Sequence, residues 1–185
     1  TVGVSPGADL AMPLLESVKC QWNSFDVQQK RQLHVFFLFN SQTRVPLDVS
    51  RFDELVSVCK EDFVSHSASG TPSKLQKDVA RALRRMGERI SEEEVLDDCG
   101  YSVDIRVLTH PQSRVVIEVD GPMHFVREYD PATRRETQRV DGSTMFKHRI
   151  LTSLGWTVLH VPYHEWQRLP GPNEQAEYIK KLIDP

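Results

Sequence analysis

Cysteine is scarce in this sequence: Cys20, Cys59 and Cys99 are the only three. An odd number at such wide separations provides neither a disulfide framework nor a zinc knuckle, and it suits a reducing compartment. Long apolar runs are missing as well. The densest, Val35 to Phe39, falls far short of the roughly 18 residues that cross a bilayer, so no membrane partner is expected. Basic charge is not in excess either. At a net charge of −3, the chain as a whole cannot hold nucleic acid by charge alone, and any such face must be a local patch. No initiator Met, Arg-rich transit segment or apolar signal core stands at Thr1, so the sequence reads as a processed or truncated piece.

What remains is enough for a real core. With 185 residues, 39% of them hydrophobic and 26% charged, the chain fits one ordinary domain plus an appendage, or two small domains. Residues 1 to 23 read as an extended or frayed entry with one turn of helix around Leu14 to Cys20. A helix follows from Asp26 to Phe39. Ser50 and Asp53 then start another in capping-box fashion, with Phe52, Leu55, Val56, Cys59 and Phe63 on one face. A Ser/Gly/Pro linker from His66 to Pro72 closes this helical segment, residues 1–72.

Ser73 caps the clearest helix, which Gly87 ends. Leu75, Val79, Ala82, Leu83 and Met86 form its apolar stripe, while Lys74, Lys77, Arg81, Arg84 and Arg85 gather opposite. That basic side is either a solvated face or a phosphate-tracking stripe, and the acidic run Glu92, Glu93, Glu94, Asp97, Asp98 is near enough to neutralise it. After Gly100 the period becomes alternating. Val103, Ile105 and Val107 share one face of a strand and Asp104 and Arg106 the other; Pro111 to Ser113 turns the chain, and Val115 to Val119 reads as a central strand. Val126 to Gly142, charged and without apolar periodicity, is expected to be a long exposed loop. Ser143 or Thr144 caps a helix to Leu154, Gly155 closes it, Trp156 to Val161 is a strand, and Asn173 to Ile183 a last helix. This order implies an α/β layer with a crossover connection.

The two strands bring Asp104 toward Glu118 and Asp120. Three convergent carboxylates suit a hard cation, Mg or Mn, which beside a phosphodiester would generate hydroxide and stabilise the leaving oxygen. Alternatively they form a salt-bridged polar face neutralised by Arg106 or Arg149. An unpaired carboxylate in an apolar sheet needs some cation: a metal, an Arg or a Lys. His124, four residues past Asp120, is either structural or a proton shuttle for the same cleft. His160 and His164 straddle a strand end, which argues against a zinc pair. Trp156 opens a core strand; Trp166 is open to either core packing or base stacking.

The segments YSVDI, VVIEVDGPMHF and GSTMFKHRILTSLGWTVLHVPYHEW resemble the RAP domain of organelle RNA-processing proteins and the FASTK family. The resemblance runs over roughly Ser73 to Leu182. It implies a restriction-endonuclease-like mixed sheet flanked by helices, related to the PD-(D/E)xK and Vsr-type nucleases, over residues 73–185. It makes 1–72 the end of a longer helical repeat array. By the same resemblance Asp104 is the first acid and Glu118 the second, whereas Asp120 stands where a standard nuclease has Lys, and Lys147 is the candidate for the displaced cation. The function so implied is RNA binding in mitochondrial or plastid RNA or rRNA processing, with RNA and ribosomal or RNA-processing proteins as partners. The alternative is a metal-dependent RNA endonuclease using Asp104, Glu118 and Asp120, with His124 and Lys147 assisting. Lys74, Lys77, Arg81, Arg84, Arg85 and Trp166 are the candidate RNA contacts.

Overall fold

The computed structural model describes residues 8–67, 71–109, 114–130, 132 and 134–183. The expected frayed entry over residues 1–7, the linker core 68–70 and the turn Pro111 to Ser113 lie outside them. The chain divides into two compact units, residues 1–69 with 97–101, and residues 70–96 with 102–185.

The first unit is helical: α1 Ala8–Cys20, α2 Val27–Ser41 and α3 Asp53–Ser67. Helix α1 is longer than expected and carries Pro13 inside it. It buries Ala11, Leu15 and Val18, spaced on one helical face. Asp26 and Gln29 form a reciprocal capping box for α2, with N–H···O distances of 2.8 and 2.9 Å. The box expected at Ser50 does not form. There Ser50–Phe52 is a 3-10 turn without a side-chain cap, and the Ser50 N–H donates to Asp48 instead. The α3 stripe is as read: Phe52, Leu55, Cys59 and Phe63 are buried, and all but Phe63 join Leu15, Val18 and Phe37 in one cluster. The segment 97–101 is tied in by His34 Nε2, 2.8 Å from the Cys99 carbonyl oxygen, and by the Lys60 ammonium donating to the Asp97 carbonyl.

The second unit is mixed α/β. Strands β1 Ile90–Val95, β2 Ser102–Val107, β3 Val115–Asp120 and β6 Thr157–Pro162 form one sheet in the order β1-β2-β3-β6. The first three run antiparallel to their neighbours and β6 runs parallel to β3. A parallel partner requires a crossover. It contains the hairpin β4 Phe125–Asp130 and β5 Arg135–Val140 and helix α5 Gly142–Ser153. Helix α4, Lys74–Arg85, and α7, Pro172–Ile183, supply Val79, Leu83 and Ile179 to a core with Ile105, Val107, Ile117, Val119 and Val161. Between β6 and α7 lies the short α6, Tyr163–Trp166.

Alternation along β3 therefore turns Val116, Glu118 and Asp120 to the other face. Among the described residues no helix is long and apolar enough to cross a membrane.

Two further local expectations are corrected, and one strand is unanticipated. The Val126 to Gly142 region is a two-stranded ribbon, not a loop: β4 and β5 pair from Phe125↔Val140 to Asp130↔Arg135. Arg127, Glu128, Gln138 and Arg139 are exposed, so no burial imposes an apolar period and only backbone pairing defines the strands. The acidic run is partly β1, an edge strand, where charge is tolerated because one side meets solvent. Asp141, rather than Ser143 or Thr144, caps α5, its carboxylate accepting the Thr144 N–H at 2.8 Å.

Gly100 sets a tight point in the helical unit. Its φ is +75°, and a Cβ there would lie 3.0 Å from Val64 Cγ2 and 3.3 Å from Phe63 Cδ1. Gly155, at φ +84°, has open space around it. Gly100→Ala is expected to destabilise the protein by about 2–3 kcal/mol and Gly155→Ala by about 1 kcal/mol. Denaturant titration of both variants measures the difference; equal losses would remove the steric account of Gly100.

Candidate functional site

Glu118 and Asp120 are buried, 6% and 2% exposed. The β2–β3 pairing of Ile105 with Ile117, carried one residue further, sets Asp104 opposite Glu118 on the same face. Each acid has one definite partner. The Asp104 Oδ2 accepts the Val119 backbone N–H at 2.7 Å. From α5, the Lys147 ammonium donates to Glu118 Oε2 at 2.6 Å. His160 Nδ1 of β6 meets Asp120 Oδ2 at 2.7 Å, and its Nε2 meets His148 Nδ1 at 2.9 Å. His124 Nδ1 stands 3.1 Å from Thr144 Oγ1 and 3.6 Å from Asp120 Oδ1.

The cations beside the acids are thus Lys147 and histidines. Arg106 pairs with Glu94 of β1 and lies over the Trp156 ring. Next to Asp104 the edge strand is strained: Glu93 has φ +52°. Buried Gln76 of α4 bridges this point, donating to Glu93 Oε1 at 2.7 Å and to the Asp104 carbonyl at 3.2 Å.

Burial, reinforced by the neighbouring Glu118, pushes the Asp104 carboxyl up to about 6, against the pull of the Val119 N–H, Lys147 and His124. The hydrogen bond to Asp120 raises His160, while burial and the facing His160 lower His148. Opposite shifts keep His148 neutral while His160 takes up the proton. With Asp120 accepting, His160 carries its hydrogen on Nδ1. A neutral His160 then accepts from His148 Nδ1–H, and an imidazolium donates to it. His148 Nε2 is correspondingly an acceptor or a donor.

His148, His160 and Asp120 line a cleft of about 850 Å³. Its walls are Phe125 and Val140 from the base of the ribbon, Met145 and Phe146 from α5, and Pro162 at the end of β6; Arg149 also borders it. Asp104, Glu118 and Lys147 are not among its lining residues.

A hard divalent cation was the implied occupant of the acids. The donor chemistry suits one in part, since Glu118 Oε1 and Asp120 Oδ1 are buried without a hydrogen-bond partner among the described residues. The grouping does not. Among the described residues no three His, Cys, Asp or Glu side chains are gathered to hold a metal ion, and Lys147 already compensates Glu118.

The remaining candidates divide. On α4, Arg84 pairs with Glu92 and Arg81 with Asp78, so the acidic run does neutralise part of the stripe; Lys74, Lys77 and Arg85 stay exposed. Trp166 is 4% exposed, packed edge-on against Tyr178 in the core, which leaves no ring face for a base. Trp156 is buried, with Arg114 4.5 Å from its ring centroid. Sequence reasoning missed the His148–His160 pair. A helix and a strand 12 positions apart share no period, and the only available signal was His160 in the strand register beside Glu118.

This geometry defines a mixed α/β domain with a polar cluster that borders an open cleft. The RAP domain family model matches residues 117–182, a shorter stretch than Ser73 to Leu182, and takes in all the cluster except Asp104. Over those residues the chain is similar to the RAP domain family. A chloroplastic RAP domain-containing protein of Oryza sativa subsp. japonica is 32% identical over 111 residues, 60% of this chain and 15% of the relative. The mitochondrial FAST kinase domain-containing protein 3 of Rattus norvegicus is 28% identical over 88 residues, 48% of this chain and 12% of the relative. That of Mus musculus is 28% identical over 94 residues, 51% and 13%. The matches therefore span less than a sixth of these relatives' lengths.

Because Asp104 is raised in the fold, the native state binds more protons than the unfolded chain between the ordinary aspartate value and about 6. Stability must fall as pH rises through that window, by up to about 3 kcal/mol from this group. Asp104→Asn keeps an acceptor for the Val119 N–H and removes the buried charge. It is expected to stabilise the protein by about 1–3 kcal/mol at slightly alkaline pH, with the gain shrinking below about pH 5. Melting curves across pH test it; a destabilised variant, or a gain independent of pH, would refute the assignment.

Proposed function

We propose that this RAP domain binds RNA, in mitochondrial or plastid RNA or rRNA processing, with its acids serving the architecture of a binding platform. The observation that carries the reading is the internal compensation of the buried carboxylates: Lys147 holds Glu118 and His160 holds Asp120. Three uncompensated acids would repel a polyanion. With Asp104 and Glu118 off the cleft lining and Asp120, which does line it, held by His160, the opening presents mainly apolar walls, the imidazoles and Arg149, chemistry that tolerates both base and phosphate. The RAP match and the chloroplastic and mitochondrial relatives support the compartment, a plastid or the mitochondrial matrix. The domain so read covers 73–185 with a restriction-endonuclease-like sheet, and 1–72 is the end of a helical repeat array. RNA-processing or ribosomal proteins, including those of a mitochondrial ribosome, are the expected partners.

One observation favours a second reading, a metal-dependent RNA endonuclease built on Asp104, Glu118 and Asp120. Lys147 lies 2.6 Å from Glu118, where a displaced nuclease lysine would be needed. In that reading Lys147 orients water and His124 moves a proton.

Labelled single-stranded and structured RNA, with and without Mg or Mn, separates the two. Binding without cleavage is expected, unchanged by chelation. Reversing Lys74, Lys77 and Arg85 together to Glu should weaken binding and flatten its salt slope by about 2, because each lost phosphate contact removes released counterions. An unchanged slope would assign α4 to ordinary solvation. Robust metal-dependent cleavage, lost in both Asp104→Asn and Glu118→Gln, would establish the enzyme.

A further inference from the structure

The cleft has properties that the acid cluster does not explain. Its volume, about 850 Å³, falls within the range of small-ligand sites, which combine apolar walls with a few fixed polar groups. The lining follows that rule. Phe125, Met145, Phe146 and Pro162 are apolar or aromatic, and His148 is a polar group whose orientation is fixed from behind. Two hydrogen bonds fix it: His148 Nδ1 to His160 Nε2 at 2.9 Å, and His160 Nδ1 to Asp120 Oδ2 at 2.7 Å. With Nδ1 so engaged, Nε2 is the ring atom that remains for a ligand. Arg149 borders the same opening, so a cation accompanies the apolar walls.

We propose that this cleft takes one unstacked nucleotide of single-stranded RNA, its base against Phe125, Met145 and Phe146 and its polar edge on His148. The proposal rests on the RNA-binding reading and gives it a place. A peptide strand or helix would present its own apolar side chains and little to meet Arg149. A nucleotide has a flat apolar face, an edge with donor and acceptor side by side, and an attached anion, which match the wall, the imidazole and the guanidinium in turn. The ring edge suits His148 in either state of the relay, since each base offers both a donor and an acceptor. His160 and Asp120 are positioning residues, acting through His148. Stacking of an extruded base on such a wall is the usual grip on unpaired RNA.

The test uses the full chain and an unstructured RNA of roughly twelve nucleotides carrying one 2-aminopurine, a base whose emission rises when it leaves its stacked neighbours. Binding to the wild type should raise the emission. Met145 is 55% exposed, so Met145→Trp fills the opening without touching the core; it is expected to weaken binding about tenfold and to abolish the rise. His148→Phe keeps a flat ring but no polar edge and should weaken binding several-fold, whereas His148→Gln, which retains a donor and an acceptor, should keep most of the affinity. If Met145→Trp and His148→Phe bind as the wild type does, with the same emission rise, the cleft is not the base site although the RNA reading survives. If the wild type binds no RNA at all, both readings fall together.

Discussion

Two carboxylates in the middle of a β-sheet constrain everything on one face of this domain. Glu118 and Asp120 are almost fully removed from solvent, and an ionised carboxylate in such surroundings costs several kcal/mol unless a counter-charge meets it. The answer comes from two different elements, Lys147 on α5 and His160 on β6. The crossover from β3 to its parallel neighbour is therefore more than a connection. It delivers α5 to the polar face with Lys147 and His148 side by side, and β6 in a register that pairs Glu118 with His160. A polar face of this kind is a weak source of stability, since apolar replacements of buried ion pairs are often neutral or better.

The same constraint generates the polarity of the cleft. Asp120 fixes a hydrogen on His160, and His160 determines which nitrogen of His148 carries the next one. The group exposed to a ligand is thus governed by a carboxylate two rings away. On the opposite face, where Ile105, Ile117, Val119 and Val161 meet α4 and α7, there is no such chain and the packing is apolar. One sheet separates a structural half from a chemical half, and alternation along β3 assigns its residues to one or the other.

Much of this was legible because it is periodic. The stripe of Val79, Leu83 and their neighbours, the alternation of Val103, Ile105 and Val107, and the glycines closing α4 and α5 each follow a local rule that the fold obeys. The β4–β5 ribbon was not legible, since strands exposed on both faces have no reason to alternate. Neither was β1, three of whose six residues are glutamates; its place is secured from outside, by Arg84, Gln76 and Arg106. For the site, the acids could be named from their positions inside apolar strands, but their partners could not. Lys147 emerged only through resemblance, and Arg106 was the more obvious cation by proximity in sequence. The choice was made by the tertiary path of α5. Trp166 shows the reverse case: an aromatic that reads equally well as ligand contact or core until burial decides it.

The balance between binder and nuclease turns on which cation holds Glu118. Asp104, Glu118 and Asp120 together carry up to three negative charges, against one from Lys147 and at most one from His160. Burial and the adjacent Glu118 push Asp104 toward its neutral form, which brings the cluster close to balance without any added ion. A divalent cation entering that arrangement would leave the ammonium of Lys147 facing a like charge at short range, so Lys147 would have to swing off Glu118 Oε2 or the metal would bind weakly. The buried oxygens left without a partner, Glu118 Oε1 and Asp120 Oδ1, offer a residual attraction for a cation. On the RNA-binding reading proposed above, a domain so nearly neutral in its own right would need no metal before an RNA strand met the neighbouring cleft. Cleavage, by contrast, would require the lysine that makes the cluster self-sufficient to give up the contact by which it does so.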